Sequence, residues 1–118
     1  MLGRFPGFRI FPSSEGVLLK ALRLGAAGCI TASGNVNAAA IRRLFDHWTS
    51  PEAEALQKPV AAVRDAVSGY PLIPAVKAVL ATLLAEPGLS TMRPPLTPLT
   101  GAQATELMGK LQAAGRPG

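Results

Sequence analysis

The spacing of apolar residues divides this chain into a part with two short apolar runs and a longer part with helical periodicity. The first run, residues 8–11, is aromatic or β-branched at most positions and ends at Pro12, which predicts a β-strand. The second run, residues 28–32, carries no charge. It predicts a strand buried on both faces, which places Cys29 and Ile30 in the interior.

A helix is predicted between the two strands, from about Glu15 to Leu24. Its apolar residues fall on one side at helical spacing, Ser13 or Ser14 precedes it as a cap, and Gly25 is placed to end it in the left-handed conformation. Strand, helix and strand in this order predict a right-handed crossover between parallel strands.

After the second strand the pattern is helical. Asn37 is predicted to cap a helix that continues to about Trp48, and Ser50 to cap a helix that runs to about Val67. Pro59 lies inside the latter, so a kink or a break is expected there. The buried stripe of the former helix is predicted to be Ile41, Leu44, Phe45 and Trp48.

Two more helices are predicted towards the C-terminus. One covers about residues 74–85, and the other follows Thr100 as its cap. The proline-rich residues 93–99 between them predict an extended segment.

The predicted fold class is α/β, but two strands are too few for a stable sheet. Both strands would be edges with unpaired backbone groups. We therefore expect the missing strands to come from elsewhere.

Composition narrows the class of protein. The net charge is +5 and the pI is about 10.2, but the basic residues are scattered and aromatic residues make up only 5%, so nucleic-acid binding is not expected. A single cysteine, Cys29, fits a reducing compartment, and we expect a cytoplasmic location. Neither a signal peptide nor an apolar run of membrane-spanning length is present in this sequence, so no membrane partner is expected.

Four segments resemble the C-terminal part of the dihydrodipicolinate synthase and N-acetylneuraminate lyase family. They are residues 8–11, residues 22–37 with the run Gly28-Cys29-Ile30-Thr31-Ala32, the Pro71-Leu72-Ile73-Pro74-Ala75-Val76-Lys77 segment, and the Arg93-Pro94-Pro95-Leu96-Thr97-Pro98-Leu99 segment. Their order and spacing agree with the family over nearly the whole chain.

The resemblance implies part of a TIM (β/α)8 barrel followed by helices. Residues 1–49 would form the last two βα units, with strands seven and eight, and residues 50–118 a C-terminal helical extension. Active sites of such barrels lie at the C-terminal ends of the strands. Met1 is then expected to be an internal methionine of a longer protein.

The resemblance also implies lyase or aldolase chemistry on pyruvate or a related 2-keto acid. In the family a strand lysine forms a Schiff base with the substrate, and a tyrosine relays protons. The four lysines of this chain all lie on predicted helices, and Tyr70 matches no catalytic strand position. We therefore expect no catalytic residue in this chain, no activity of the chain alone, and no cofactor. The lysines are Lys20, Lys58, Lys77 and Lys110.

Two positions are implied to bind substrate. Ser13 stands where a small residue exposes backbone near the keto acid, and Ile30 where the eighth strand places an apolar residue and a carbonyl near the Schiff base. The turn at residues 12–15 and the Ser33-Gly34 pair depart from the family pattern, which leaves the particular substrate open. The complete protein is expected to be a homo-oligomer.

The sequence signals for other kinds of active site are weaker. Asp46, His47 and Ser50 have the residue types of a catalytic triad but crowd one helix end without a nucleophile turn. One histidine and Cys29 do not make a metal site. The alternative from another class is an autonomous, non-enzymatic module whose strands pair with those of other copies.

Overall fold

The structure, a computed structural model, describes residues 3–115. Met1 and the outer ends of the predicted regions 1–49 and 50–118 lie outside these residues. Within them the chain forms five α-helices, which are α1 (Leu18–Arg23), α2 (Gly34–Asp46), α3 (Ala53–Ser68), α4 (Leu72–Leu83) and α5 (Gly101–Ala113). Short 3-10 turns cover Glu15–Val17 before α1 and Pro87–Ser90 after α4.

Helix α3 lies at the centre of the packing. Its apolar residues recur every three or four positions, so they form one stripe along the helix. The first part of this stripe joins a cluster with α1 and α2, formed by Leu18, Leu19, Leu22, Leu44, Ala53 and Val60. The second part joins a cluster with α4, α5 and the first turn of α2, formed by Val36, Val63, Val67, Ala75, Val76, Val79, Leu107 and Leu111.

The predicted stripe is confirmed on α2 for Ile41, Leu44 and Phe45, while Trp48 lies beyond the last residue of this helix, Asp46. Leu44 is fully buried, and Ile41, Phe45 and Trp48 pack against the same cluster. The three side chains on α2 lie on one face because the spacing of three or four residues matches the helical repeat.

Two predicted helix ends are confirmed. After α1, Gly25 takes a φ of +94° and donates its N–H to the Leu22 carbonyl, while Ala26 donates to Ala21, both at 2.9 Å. This pair of bonds is the Schellman motif. At the start of α5, Thr100 and Gln103 form a capping box.

Two predicted caps are wrong. Asn37 lies inside α2, at a kink with φ −141° and ψ 25°, because the preceding residues already form turns and start the helix at Gly34. Ser50 is held in a turn by its own backbone bonds to His47 and Ala53. Helix α3 therefore begins at Ala53 rather than directly after Ser50.

Of the kink or break predicted at Pro59, the break does not occur, since α3 runs from Ala53 to Ser68 through this residue. Proline removes one N–H bond of the helix. Pro59 and Ala55, whose carbonyl loses that bond, are both exposed, so water can supply the missing partner.

Neither predicted strand is formed as a regular strand within residues 3–115. The two segments do lie side by side, since Ala27 donates to the Ile10 carbonyl at 2.9 Å and Ile30 to the Pro12 carbonyl at 3.1 Å. The two donors are three residues apart in the chain, whereas the two acceptors are two residues apart. This difference breaks the even spacing of hydrogen bonds in a parallel ladder. Gly28, with φ +157°, accommodates the mismatch.

The prediction that this region is buried on both faces is also wrong. Ile30 is 71% exposed, Phe8 is 62% exposed and Ala32 is exposed, because no described element packs over these side chains. Strands seven and eight of a barrel are therefore not confirmed in the described part of the chain.

No single described helix is both long and apolar enough to cross a membrane. Helices α3 and α4 meet the length and composition criteria only when taken together, and they are bent by 111° relative to each other.

Candidate functional site

The end of the two paired segments brings the predicted substrate-binding residues together. Ser13 directly follows Pro12, whose carbonyl accepts the N–H of Ile30 at 3.1 Å. Both residues are exposed. Ser13 and Ile30 thus lie on neighbouring backbones at one surface of the molecule.

Four polar side chains next to these residues form what we name the Glu15 cluster, which consists of Glu15, Thr31, Ser33 and Arg64. Glu15 is fully buried. It accepts a hydrogen bond from Thr31 Oγ1 on Oε2 at 2.7 Å and one from Ser33 Oγ on Oε1 at 2.5 Å. Buried polar groups are stable only when hydrogen-bonded, and both oxygens of this carboxylate meet that condition.

Arg64 completes the cluster from α3. Its Nη1 donates to Thr31 Oγ1 at 3.2 Å and to Ser33 Oγ at 3.0 Å, and lies 3.9 Å from Glu15 Oε2. Each hydroxyl therefore accepts from a guanidinium and donates to a carboxylate. Hydrogen bonds with an ionised partner are stronger than neutral ones.

A second contact from α3 holds the same region. Gln57 accepts the N–H of Leu19 on Oε1 at 2.8 Å and donates from Nε2 to the Glu15 carbonyl at 3.1 Å. Gln57 and Arg64 are seven residues apart, which is two helical turns, so they lie on one face of α3. Ser14 caps the 3-10 turn by accepting the N–H of Gly16.

The thiol of Cys29 has the properties of a packing group. It is partly buried against the cluster that contains Leu18 and Leu44. Burial raises its pKa, and the negative charge of Glu15 raises it further. A protonated thiol is a poor nucleophile.

All four lysines lie on helices, as predicted, within α1, α3, α4 and α5. Lys77 donates to the Thr91 carbonyl at 2.6 Å, which fastens the segment after the second 3-10 turn. Lys110 is bonded to Glu106, and this hydrogen bond raises the pKa of Lys110. This shift disfavours the neutral amine that Schiff-base formation needs.

Tyr70 also has a partner away from Ser13 and Ile30. Its hydroxyl accepts from Lys110 Nζ at 3.2 Å, and the ammonium lies 5.0 Å from the ring centroid. The contact is a cation–π pair between the turn that joins α3 to α4 and helix α5.

Of the three residues with the side chains of a catalytic triad, His47 and Asp46 have other partners. His47 Nδ1 lies 2.9 Å from the Arg43 carbonyl, and Asp46 forms an ion pair with Arg42 at 2.7 Å. The Ser50 hydroxyl is buried without a hydrogen-bond partner among the described residues. Within residues 3–115, no group of three His, Cys, Asp or Glu side chains is placed to hold a metal ion.

An open cavity of about 330 Å³ lies beside the second segment, on the side of Cys29 and Thr31. Helix α2 forms its other wall with Ala38, Ile41 and Phe45. Ser13 and Ile30 do not line it.

Sequence reasoning did not find the Glu15 cluster as a unit. Arg64 is 31 and 33 residues from its hydroxyl partners, so its role depends on how α3 packs. A signal was present, because Gln57 and Arg64 are two polar residues seven apart beside the apolar stripe of α3.

Comparison with known proteins gives a consistent set of matches. The model of the dihydrodipicolinate synthetase family matches residues 4–114. A protein named "Uncharacterized DapA-like lyase" from Chloroflexus aurantiacus is 33% identical over 108 residues, which cover 91% of this chain and 36% of that protein.

Solved structures show the same likeness in fold. A prophage protein of the dihydrodipicolinic acid synthase family from E. coli K12, solved in complex with pyruvate, has a TM-score of 0.85 at 22% identity, over 98% of this chain and 40% of that one. N-acetylneuraminate lyase from Proteus mirabilis has a TM-score of 0.74 at 20% identity, over 89% of this chain and 36% of that one. The structural neighbours are TIM barrels. This chain spans about 36% of the length of the curated relative that it matches.

Proposed function

Because this chain belongs to the dihydrodipicolinate synthetase family, we propose that it is the C-terminal portion of a Schiff-base lyase or aldolase acting on pyruvate or a related 2-keto acid. The partial coverage of the relatives supports this proposal, since the chain matches 36% of one and 40% of another. The neighbour from E. coli K12 was solved with pyruvate, which supports the substrate class.

Ser13 and Ile30 are proposed to line the keto-acid pocket. The observation that carries this proposal is the hydrogen bond from the Ile30 N–H to the Pro12 carbonyl, which sets the two residues on adjacent backbones. A short side chain at Ser13 leaves room for a carboxylate to approach the backbone, and the carbonyl of Ile30 can accept a hydrogen bond from a donor near the Schiff base.

The Schiff-base lysine is proposed to lie outside this chain. A neutral amine must attack the keto carbonyl, and the resulting iminium withdraws electrons from the bond that breaks. All four lysines of the chain are on helices, and none neighbours Ser13 or Ile30 through a hydrogen bond described above. By itself the chain is then inactive.

Three further properties stay predictions. They are the division between residues 49 and 50, the homo-oligomeric state and the cytoplasmic location. The autonomous strand-swapping module is not favoured, since the family match covers residues 4–114.

The first test is the mass of the subunit purified from its host. A TIM barrel takes about 250 residues, so the proposal predicts a subunit well above the 12.2 kDa of this chain. A native subunit of 12.2 kDa would overturn it.

The second test is Ser13→Leu in that purified protein. A larger side chain should hinder the approach of the keto acid and raise KM for pyruvate about tenfold, which corresponds to a loss of about 1.4 kcal/mol of binding. Ser68→Leu is the matched control, because Ser68 is exposed at the end of α3. An unchanged KM in Ser13→Leu would remove Ser13 from the pocket.

A further inference from the structure

The Glu15 cluster joins three parts of the chain that are distant in sequence. Glu15 belongs to the turn after Ser13, Thr31 and Ser33 belong to the segment of Ile30, and Arg64 belongs to α3. Glu15 is two residues from Ser13, and Thr31 is the residue after Ile30. The hydrogen bond between Thr31 and Glu15, at 2.7 Å, therefore adds a side-chain restraint on the spacing of the two proposed pocket positions to the backbone bond from Ile30 to Pro12.

The hydroxyl groups alone would not fix this arrangement. Thr31 Oγ1 and Ser33 Oγ are 3.0 Å apart, so either hydroxyl is close enough to donate to the other instead of to Glu15. Hydroxyl hydrogens rotate freely to suit their surroundings. Two hydrogen-bonding patterns are thus available to the pair.

Arg64 selects one of these patterns. Its Nη1 donates to both hydroxyl oxygens, at 3.2 and 3.0 Å, so each oxygen already accepts from a cation. The hydroxyl hydrogens then form their strongest bonds by donating to the Glu15 carboxylate. This carboxylate is fully buried and lies 3.9 Å from the same nitrogen. The cation on one side and the carboxylate on the other orient both hydroxyls in one direction.

We propose that Arg64 is a positioning residue, which holds the segments of Ser13 and Ile30 at one spacing through Thr31, Ser33 and Glu15. This inference rests on the proposed function, because it gives that spacing the task of fitting a 2-keto acid. Arg64 itself has no contact with Ser13 or Ile30 among its hydrogen bonds in the described residues. Its effect on substrate is indirect.

The test compares three variants of the protein purified at its native length. Arg64→Met removes the donor and keeps a similar stem, Arg64→Lys keeps a charged donor, and Lys58→Met makes the same charge change at an exposed position of α3. We expect Arg64→Met to raise KM for pyruvate about tenfold with a smaller change in kcat, as a loss of substrate binding does. Arg64→Lys should recover most of this loss, and Lys58→Met should leave KM unchanged.

Amide hydrogen exchange separates a local effect from a general loss of stability, because a general loss would not change the ratio of two exchange rates. In Arg64→Met we expect the Ile30 amide to exchange about fivefold faster relative to the amides of α5, as expected for one weakened hydrogen bond. Equal acceleration at Ile30 and in α5 would overturn the proposal, because Arg64 would then only stabilise the fold. Unchanged protection of Ile30 would overturn it as well.

The two measurements keep the proposals distinguishable. If the wild-type protein has no activity on 2-keto acids, the proposed function fails, whereas selective loss of protection at Ile30 still supports Arg64 as the residue that fixes the spacing. If activity is present and KM does not change in Arg64→Met, the positioning role fails and the proposed function stands.

Discussion

The helical end of the molecule and the two extended segments bury their apolar side chains to very different extents. Leu107 and Leu111 of α5 are 0% and 1% exposed, while Phe8 and Ile30 of the segments are 62% and 71% exposed. A helix bonds its own backbone and needs only one stripe of contacts. An extended segment needs lateral neighbours for its backbone and a cover for each face.

The contrast separates a part of the chain whose apolar core is closed by its own residues from a part whose apolar side chains are uncovered among the described residues. The cluster around α3, α4 and α5 is closed by residues of the chain itself. The extended segments are joined by two backbone hydrogen bonds, and the hydrogen bonds of the Glu15 cluster fix one of their ends. The proposed pocket residues lie at this fixed end, where polar side chains supply the order that apolar packing does not.

The largest effect is expected from truncation in the closed cluster. Leu107→Ala should lower the free energy of unfolding by about 2–5 kcal/mol, the usual cost of a large cavity in a core. In the same 118-residue chain, Ile30→Ala should change the free energy of unfolding by less than about 0.5 kcal/mol, as substitutions at exposed positions usually do. Urea unfolding of both variants checks the contrast, and equal losses would contradict it.

The next effect concerns the buried carboxylate. Glu15→Gln replaces an acceptor of two hydroxyl bonds with a group that accepts on one side only, so we expect a loss of about 1–3 kcal/mol. This range is below the cost for a fully buried ion pair because the Arg64 side chain is 22% exposed. Asp65→Asn, at an exposed position of α3, is the control in the same unfolding assay. Similar values for the two variants would mean that Glu15 does not hold the segments.

A smaller effect is expected at the end of α1. Gly25 takes a φ of +94°, which costs a residue with a Cβ about 1 kcal/mol. Gly25→Ala should therefore reduce stability by about this amount, as measured by thermal unfolding. No loss would indicate that the turn between α1 and the second segment adopts another conformation.

The smallest effect has the opposite sign and lies at the end of α4. Ala85 takes a φ of +51°, and Glu86 donates to the Ala81 carbonyl at 3.0 Å as in the motif after α1. Ala85→Gly should stabilise the chain by about 0.5–1 kcal/mol, since glycine relieves the strain at some entropic cost. A destabilised variant would show that Ala85 is not strained.

Local signals predicted those parts of the fold that local physics decides. Gly25 and Thr100 were predicted as helix ends because their roles depend on residues within one turn. Asn37 has an equally good capping side chain, but turns formed by the preceding residues start α2 earlier. The exposure of Ile30 could not be predicted, because the pattern of a buried strand does not say whether its covering elements are present.

The candidate site also contains residues that the sequence predicted and one that it did not. The family resemblance identifies Ser13 and Ile30, and the backbone bond from Ile30 to Pro12 sets them on adjacent backbones. Arg64 was missed because a charged residue on a helix is usually solvated. Its bonds to Thr31 and Ser33 arise only once α3 has packed against the segments.

The most direct test of the account is to trap the natural protein with pyruvate and borohydride and to map the modified peptide. Borohydride reduces a Schiff base to a stable secondary amine, so the adduct marks the lysine that attacked the keto carbonyl. We predict one adduct, on a lysine outside these 118 residues. An adduct on Lys20, Lys58, Lys77 or Lys110 would contradict the claim that this chain shapes the pocket while the reacting amine comes from elsewhere.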